Sequence, residues 1–273
     1  MHPGLAELER SWLFVPGDRP DMFVKAVNSG SDAVVLDLED AVLPCNKGFA
    51  RKAVLDFVDR APRASLWVRA SGQIPHTGSP ELKLFRHEGL RGLMLPKVET
   101  VKQVLRVREL ARSSARLVVL IESARGLAEA SAISQTDGVS RVCFGSVDFL
   151  SDVGATSYEL VQHSLMHLVL VARDTGIPPP IAGVTVSVND IEELEQETKD
   201  ALSLGCFGKL CIHPAQVPIV NALHRPSEER VEWAKSVLNL SQSKGAFVYQ
   251  GRMIDAPVVR EAESILRSAA RRL

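Results

Sequence analysis

The sequence predicts a single (β/α)8 barrel, of the TIM type, with a short C-terminal hairpin-helix extension. Three observations predict it. Eight short apolar runs recur along the 273 residues, with helix-length segments between them. The runs show little polar alternation, as strands covered on both faces do. Polar and charged residues cluster directly after the runs, where a barrel of this kind carries its active site. A doubly wound open sheet is the alternative that the pattern leaves open. The expected organisation is one barrel domain over 1–273, its core spanning about 10–225, with a helical and hairpin appendage over 226–273.

The expected strands are Trp12–Val15, Ala33–Leu36, Leu66–Val68, Gly92–Leu95, Leu117–Ile121, Val142–Gly145, Ile181–Val184 and Lys209–Ile212. Asp21–Asn28, Asn46–Asp59 and Thr100–Arg112 carry apolar residues at three- and four-residue spacing, which predicts amphipathic helices. Tyr158–Thr175 is the longest expected helix, closed by Gly176 and three prolines. Asn189-Asp190 caps a helix over Ile191–Ser203 that stops at Gly205. Beyond the barrel, Ser227–Lys244 reads as an exposed helix. A hairpin around Gly251 then leads into a terminal helix, Val258–Arg271.

Composition sets bounds. The chain is 45% hydrophobic and 24% charged, ordinary for a soluble globular protein. A net charge of −1 gives no general electrostatic support to nucleic-acid binding. No apolar run approaches the roughly 20 residues of a membrane span. The four cysteines form no C-x-x-C pair, and Cys143 and Cys211 lie inside apolar runs. That favours a reducing compartment. Glu7, Glu9 and Arg10 interrupt any signal-peptide core. A cytoplasmic protein is expected.

The rim residues suggest the chemistry. Glu122 and Asp148 each follow a buried-strand run. Two carboxylates at the ends of successive parallel strands suit a Mg²⁺, or a Mn²⁺ in its place, that keeps open positions for substrate and water. Arg69 follows the third strand, where a fixed guanidinium captures a carboxylate or enolate oxygen, or pairs with Asp37 or Glu39. Asp37 and Glu39 alternate along a strand end. They are candidates for proton transfer, for a metal-bound water, or for positioning Arg69. Gly145 allows close backbone approach, and the N–H groups of Gly145, Ser146 and Val147 are candidates for holding a substrate carboxylate. Arg19, Lys25, Lys47 and Arg51 are candidates for the phosphates of a ligand, or are solvated helix charges. Lys97 is divided between ion pair and substrate contact. His163 and His167, one helical turn apart, read as surface or packing residues. His213 reads as a brace for the last strand end.

The motifs, taken in order, carry a resemblance. Arg10-Ser11-Trp12-Leu13-Phe14-Val15-Pro16-Gly17, Asp37-Leu38-Glu39-Asp40-Ala41-Val42 with Lys47 and Arg51, and Val68-Arg69 come first. Leu95-Pro96-Lys97, Ile121-Glu122-Ser123-Ala124 and Phe144-Gly145 with Asp148-Phe149 follow, and Ile212-His213-Pro214-Ala215-Gln216 closes the series. Together with Gly251-Arg252-Met253-Ile254-Asp255 they resemble the HpcH/HpaI aldolase–citrate lyase β-subunit (CitE-like) family over roughly residues 10–265. The resemblance implies a TIM-type barrel, a divalent metal and reversible cleavage of a carbon–carbon bond. It implies acyl thioester substrates of the citryl-CoA or malyl-CoA type, with an acyl-CoA and a 2-oxo acid as products, and so makes coenzyme A the source of phosphates for Arg19, Lys25, Lys47 and Arg51. An acyl-carrier protein as partner and a homotrimer or hexamer belong to the same expectation. Alternatives are a CoA-independent aldolase on pyruvate- or oxaloacetate-type acids, hydrolysis of the thioester after cleavage or condensation, and a non-catalytic oxo-acid-binding subunit. The sequence departs from the family pattern at Val147, Ser71 and Ala182-Gly183, where relatives carry an acidic residue, Asn and Asp. The aldolase branch has a histidine where Asp40 stands.

Overall fold

The computed structural model describes residues 8–61, 65–72, 76–242 and 245–269. Glu7 and the expected helix ends at Lys244 and Arg271 lie outside them. The described residues divide into two compact units, one within 9–221 and a second made of Leu8, 222–242 and 245–269.

The larger unit is an α/β fold. Its strands and helices alternate as β1 (Ser11–Pro16), α1 (Pro20–Val27), β2 (Ala33–Asp37), α2 (Lys47–Val58), β3 (Leu66–Arg69), α3 (Leu82–Phe85), β4 (Gly92–Leu95) and α4 (Val101–Leu110). They continue as β5 (Arg116–Ile121), α5 (Ala124–Ala128), α6 (Ala130–Ser134), β6 (Val139–Phe144), α7 (Ser146–Val153), α8 (Tyr158–Thr175), α9 (Ile191–Leu204), β7 (Lys209–Cys211) and α10 (Gln216–Leu223). Seven parallel strands form one sheet in the order β6-β5-β4-β3-β2-β1-β7. The register pairs Pro16 with Asp37 and Asp37 with Arg69, so the polar strand ends arrive together on one rim.

One expected strand is not a strand. Ile181 and Ala182 make two isolated parallel bridges, to Cys143 and to Lys209. Ile181 exchanges backbone bonds with Val142 and Phe144, and Ala182 with Gly208 and Leu210. The prolines at 178–180 have no N–H to extend the ladder backwards. The backbone packs closely just after it: at Gly183 a Cβ would lie 2.8 Å from the Phe144 carbonyl.

The strand side chains alternate between two buried layers. Trp12, Val35, Trp67, Met94, Val118, Leu120, Cys143, Ile181 and Leu210 pack inside the curled sheet. The Trp12 and Trp67 ring centroids lie 4.9 Å apart. The other face carries Leu13, Leu36, Val68, Leu93, Val119 and Phe144 against the helices. Burial of each such side chain contributes on the order of 2 kcal/mol. Gly92 makes room for the inner layer: a Cβ there would lie 2.4 Å from Trp67 Cζ3 and 2.2 Å from the Arg116 carbonyl.

Helix ends follow local chemistry. Thr100 and Gln103 form a reciprocal capping box at α4. Ser157 and Asp190 cap α8 and α9, and Gly176 and Gly205 end them in the left-handed conformation. At the opposite rim, fully buried Arg141 donates to the carbonyls of Pro179, Phe207 and Glu9.

The smaller unit contains α11 (Glu228–Ser241), a hairpin of β8 (Phe247–Tyr249) and β9 (Arg252–Ile254), and α12 (Ala256–Ala269). Ala234, Val237, Ile254, Ala262 and Ile265 form its own core. Among the described residues, no helix is long and apolar enough to cross a membrane.

Candidate active site

The rim at the C-terminal strand ends concentrates charge. Asp37 ends β2 and is fully buried. Its carboxylate accepts two bonds from Arg69 at the end of β3, from Nε at 2.7 Å and from Nη2 at 2.6 Å. The Glu39 and Ala41 N–H groups donate to the same carboxylate. Asp37 is thereby committed to holding Arg69 and the turn after β2. The guanidinium lies 4.7 Å from the centroid of Phe14, on β1, a cation–π contact that strand spacing does not reveal. Burial would lower the Arg69 pKa, but Asp37, Glu39 and Glu122 more than offset it, so the cation is retained.

Glu39 is buried between two cations. Arg69 Nη1 lies 2.9 Å from its Oε2 and Lys97 Nζ 2.8 Å from its Oε1. The Arg69 approach is not aligned as a hydrogen bond, which leaves Oε2 without one. Burial is the main reason its pKa is raised.

Glu122 follows β5 and is 4% exposed. Its Oε2 accepts the Lys97 N–H at 2.7 Å. Burial first, then the neighbouring carboxylates Glu39 and Asp148, push its pKa up to about 7. Gly145 stands behind it: a Cβ there would lie 2.4 Å from Glu122 Cγ. The close approach expected at Gly145 is therefore made by Glu122.

Asp148 lies in the first turn of α7, which starts directly after β6 with Ser146 and Val147. The Gly145 N–H is taken by the Ile121 carbonyl at 3.0 Å, and the first helical bond runs from Phe149 N–H to Gly145. Ser146 and Val147, not Gly145, retain N–H groups for an anion at this helix start.

These positions test whether a divalent cation suits the rim. Asp37, Glu39, Asp40, Glu122 and Asp148 outnumber Arg69 and Lys97. Among the described residues, no hydrogen bond reaches Glu122 Oε1 or the Asp148 carboxylate. No three His, Cys, Asp or Glu converge into a complete protein cage. Glu122 Oε1 and the Asp148 carboxylate, with excess negative charge around them, fit a hard cation that keeps several waters.

Comparison with known proteins matches residues 10–214 to the model for the HpcH/HpaI aldolase/citrate lyase family. The chain belongs to that family. It is 34% identical over 266 residues to a citrate lyase subunit beta-like protein of Mycobacterium tuberculosis, covering 94% of each chain. It is 29% identical to an L-malyl-CoA/beta-methylmalyl-CoA lyase of Cereibacter sphaeroides, covering 97% of this chain and 95% of the other. Among solved structures, the M. tuberculosis CitE protein in complex with magnesium, acetoacetate and coenzyme A matches with a TM-score of 0.82 and 33% identity. That match covers 97% of this chain and 99% of CitE. The family is described as aldolase/citrate lyase, and the Cereibacter relative is named as a lyase.

Within this member of the HpcH/HpaI family, the four candidate phosphate-binding cations separate. Lys47 donates to the carbonyls of Leu38 and Glu39 at 2.7 and 2.9 Å and so ties down the turn after β2. Arg51 lies 4.0 Å from Glu81. Arg19 makes two exposed bonds to Asp21, and Lys25 is exposed on α1. His213 is exposed, whereas Gln216 braces the β7 end: it accepts from Ile212 and His213 N–H and donates to Thr185 and Ser187. His163 and His167 lie on the exposed side of α8. Phe14 and Glu81 had no signal in the sequence, since each acts through a long-range neighbour.

Proposed function

We propose that this chain is a Mg²⁺-dependent carbon–carbon lyase. It cleaves a 3-hydroxyacyl-CoA thioester of the citryl-CoA or malyl-CoA type to an acyl-CoA and a 2-oxo acid. One observation carries the reading: Glu122, buried and pushed up to about 7, shares a rim with Asp148 and a doubly anchored Arg69. The relatives named as citrate lyase-like and malyl-CoA lyase support the same chemistry.

Glu122 and Asp148 would hold the metal. When bound, Mg²⁺ supplies Lewis-acid polarisation of the oxo-acid oxygens. The substrate hydroxyl loses its proton, the carbon–carbon bond breaks, and its electron pair passes into a thioester enolate. That enolate takes a proton at carbon to give the acyl-CoA. Arg69, aimed by Asp37 and Phe14, stabilises the enolate oxygen or a substrate carboxylate. Glu39 is the candidate proton carrier, because its Oε2 accepts no hydrogen bond among the described residues whereas both Asp37 oxygens do. The Ser146 and Val147 N–H groups would hold the oxo-acid carboxylate. Arg19 and Lys25 remain for coenzyme A phosphates. We further read the sheet as an eight-membered closed barrel in which Ile181-Ala182 stands for the eighth strand, supported by its bonds to both neighbours. A trimeric or hexameric assembly is part of the proposal, with an acyl-carrier protein a further candidate partner.

The test is acetyl-CoA formation from racemic citryl-CoA and malyl-CoA with Mg²⁺. Native protein should form product, and Glu122→Ala and Asp148→Ala should each lose at least about a hundredfold. A native protein inactive on both substrates would count against the lyase reading. A second reading, a CoA-independent aldolase, gains support from Lys47 being bound to backbone carbonyls. Cleavage of free hydroxy-oxo acids without a thioester would favour it. Oxo-acid binding without turnover would favour a non-catalytic subunit.

A further inference from the structure

Lys97 has no part in the chemistry above, yet its backbone is unusual. Among the described residues, Lys97 and Gln250 are the non-glycine residues with positive φ, at 53° and 50°. Gln250 lies in the turn of the β8–β9 hairpin, where such angles are routine. Lys97 lies just past β4, on the rim, where a left-handed lysine persists only if its surroundings impose it.

The conformation has a local result. In an extended strand, successive N–H groups point to opposite sides. Here the Lys97 N–H donates to Glu122 Oε2 at 2.7 Å, and the next N–H, of Val98, donates to the Leu120 carbonyl at 3.2 Å. The left-handed turn puts both donors on the β5 side, as in an anion-binding nest. The Lys97 carbonyl is held in turn by Gln103 Nε2 at 3.2 Å, and Gln103 belongs to the α4 capping box. The ammonium serves a different group, lying 2.8 Å from Glu39 Oε1 and 3.1 Å from Asp40 Oδ2. Glu122 is thus gripped by a main-chain N–H on one side and backed by Gly145 on the other.

We propose that Lys97 is a positioning residue. Its left-handed main chain fixes the Glu122 carboxylate through Oε2 and leaves Oε1 without a hydrogen bond among the described residues, while its ammonium has no share in that task. The proposal rests on Glu122 being a metal ligand, as read above.

The test is Mn²⁺ binding to metal-free protein, followed by electron paramagnetic resonance, for Lys97→Gly, Lys97→Met and Lys97→Val. All three delete the ammonium. Glycine adopts positive φ freely, methionine as lysine does, and β-branched valine resists it. The valine variant should bind at least about tenfold more weakly than the glycine variant, the loss usual for removing a partner of a metal ligand. The methionine variant should follow the glycine variant. A methionine variant as weak as valine, or a valine variant equal to glycine, overturns the proposal. Circular dichroism melts check folding. Should the valine variant fail to fold, the methionine comparison with native protein decides, together with a metal-free measurement. In native protein the Lys97 amide proton, observed with ¹⁵N-lysine labelling, should move upfield on Glu122→Ala. An unmoved resonance overturns the clamp. Native protein that fails to bind Mn²⁺ defeats the metal reading, whereas the resonance tests the clamp without metal.

Discussion

Asp37 and Glu122 are both buried acids at strand ends on one rim, and their situations are opposite. Asp37 meets Arg69 face to face and two backbone N–H groups. Removing it leaves a buried guanidinium without its main partner, so Asp37→Ala should destabilise by about 3–5 kcal/mol in urea unfolding. Glu122 has one backbone donor and is crowded by other carboxylates. Its pKa of about 7 exceeds the ordinary value of 4.5. Between those two pH values the folded chain binds the extra proton and the unfolded chain does not. Stability from this group is complete below about pH 4.5 and is lost as pH rises through about 7. Metal-free Glu122→Gln should therefore melt at a higher temperature than native protein at pH 8 and at a similar one near pH 4. Thermal melts in a chelator check this, and a shift equal at both pH values would contradict it. Added Mg²⁺ should raise the native melting temperature more at pH 8 than at pH 5, because the ligand must be deprotonated.

At the scale of the element, strand identity depends on what the neighbouring layer permits. Gly92→Ala in β4 would drive a methyl group into Trp67 and the Arg116 carbonyl. It should cost about 2–3 kcal/mol in denaturant unfolding, the range of overpacked cores. The bounds of α8 were legible to the residue, since Ser157, Gly176 and the prolines punctuate it. The first six strands and β7 were legible because fully buried strands read as apolar runs. Ile181–Val184 has the same apolar signature but only two paired residues, because the prolines before it carry no N–H for the ladder. The start of α7 was hidden, since no polar linker separates it from β6. On the rim, the positions of Glu122, Asp148 and Arg69 were legible from their place after the runs. The employment of Lys47 by two carbonyls and the left-handed Lys97 were not, because both depend on where the chain turns after a strand.

For the whole molecule, one buried cation ties distant segments together. Arg141 joins β6 to the carbonyls of Glu9, Pro179 and Phe207, and burial lowers its pKa to about 10 against the pull of Glu9. Arg141→Met should destabilise the larger unit by about 3 kcal/mol or more. It should leave Mn²⁺ affinity per folded molecule unchanged, as calorimetry and metal titration would show. The order of the sheet also bears on how the chain is made. Strands β1 to β6 pair with their chain neighbours, so each ladder can form soon after its second strand leaves the ribosome. The partner of β1 on its other side is β7, which follows only after α8 and α9. Until Lys209–Cys211 emerges, the nascent sheet carries two unsatisfied edges, and such edges invite pairing between chains. Translation halted within α9 should therefore yield aggregating fragments, and the interval between β6 and β7 is the one in which a chaperone would be needed most.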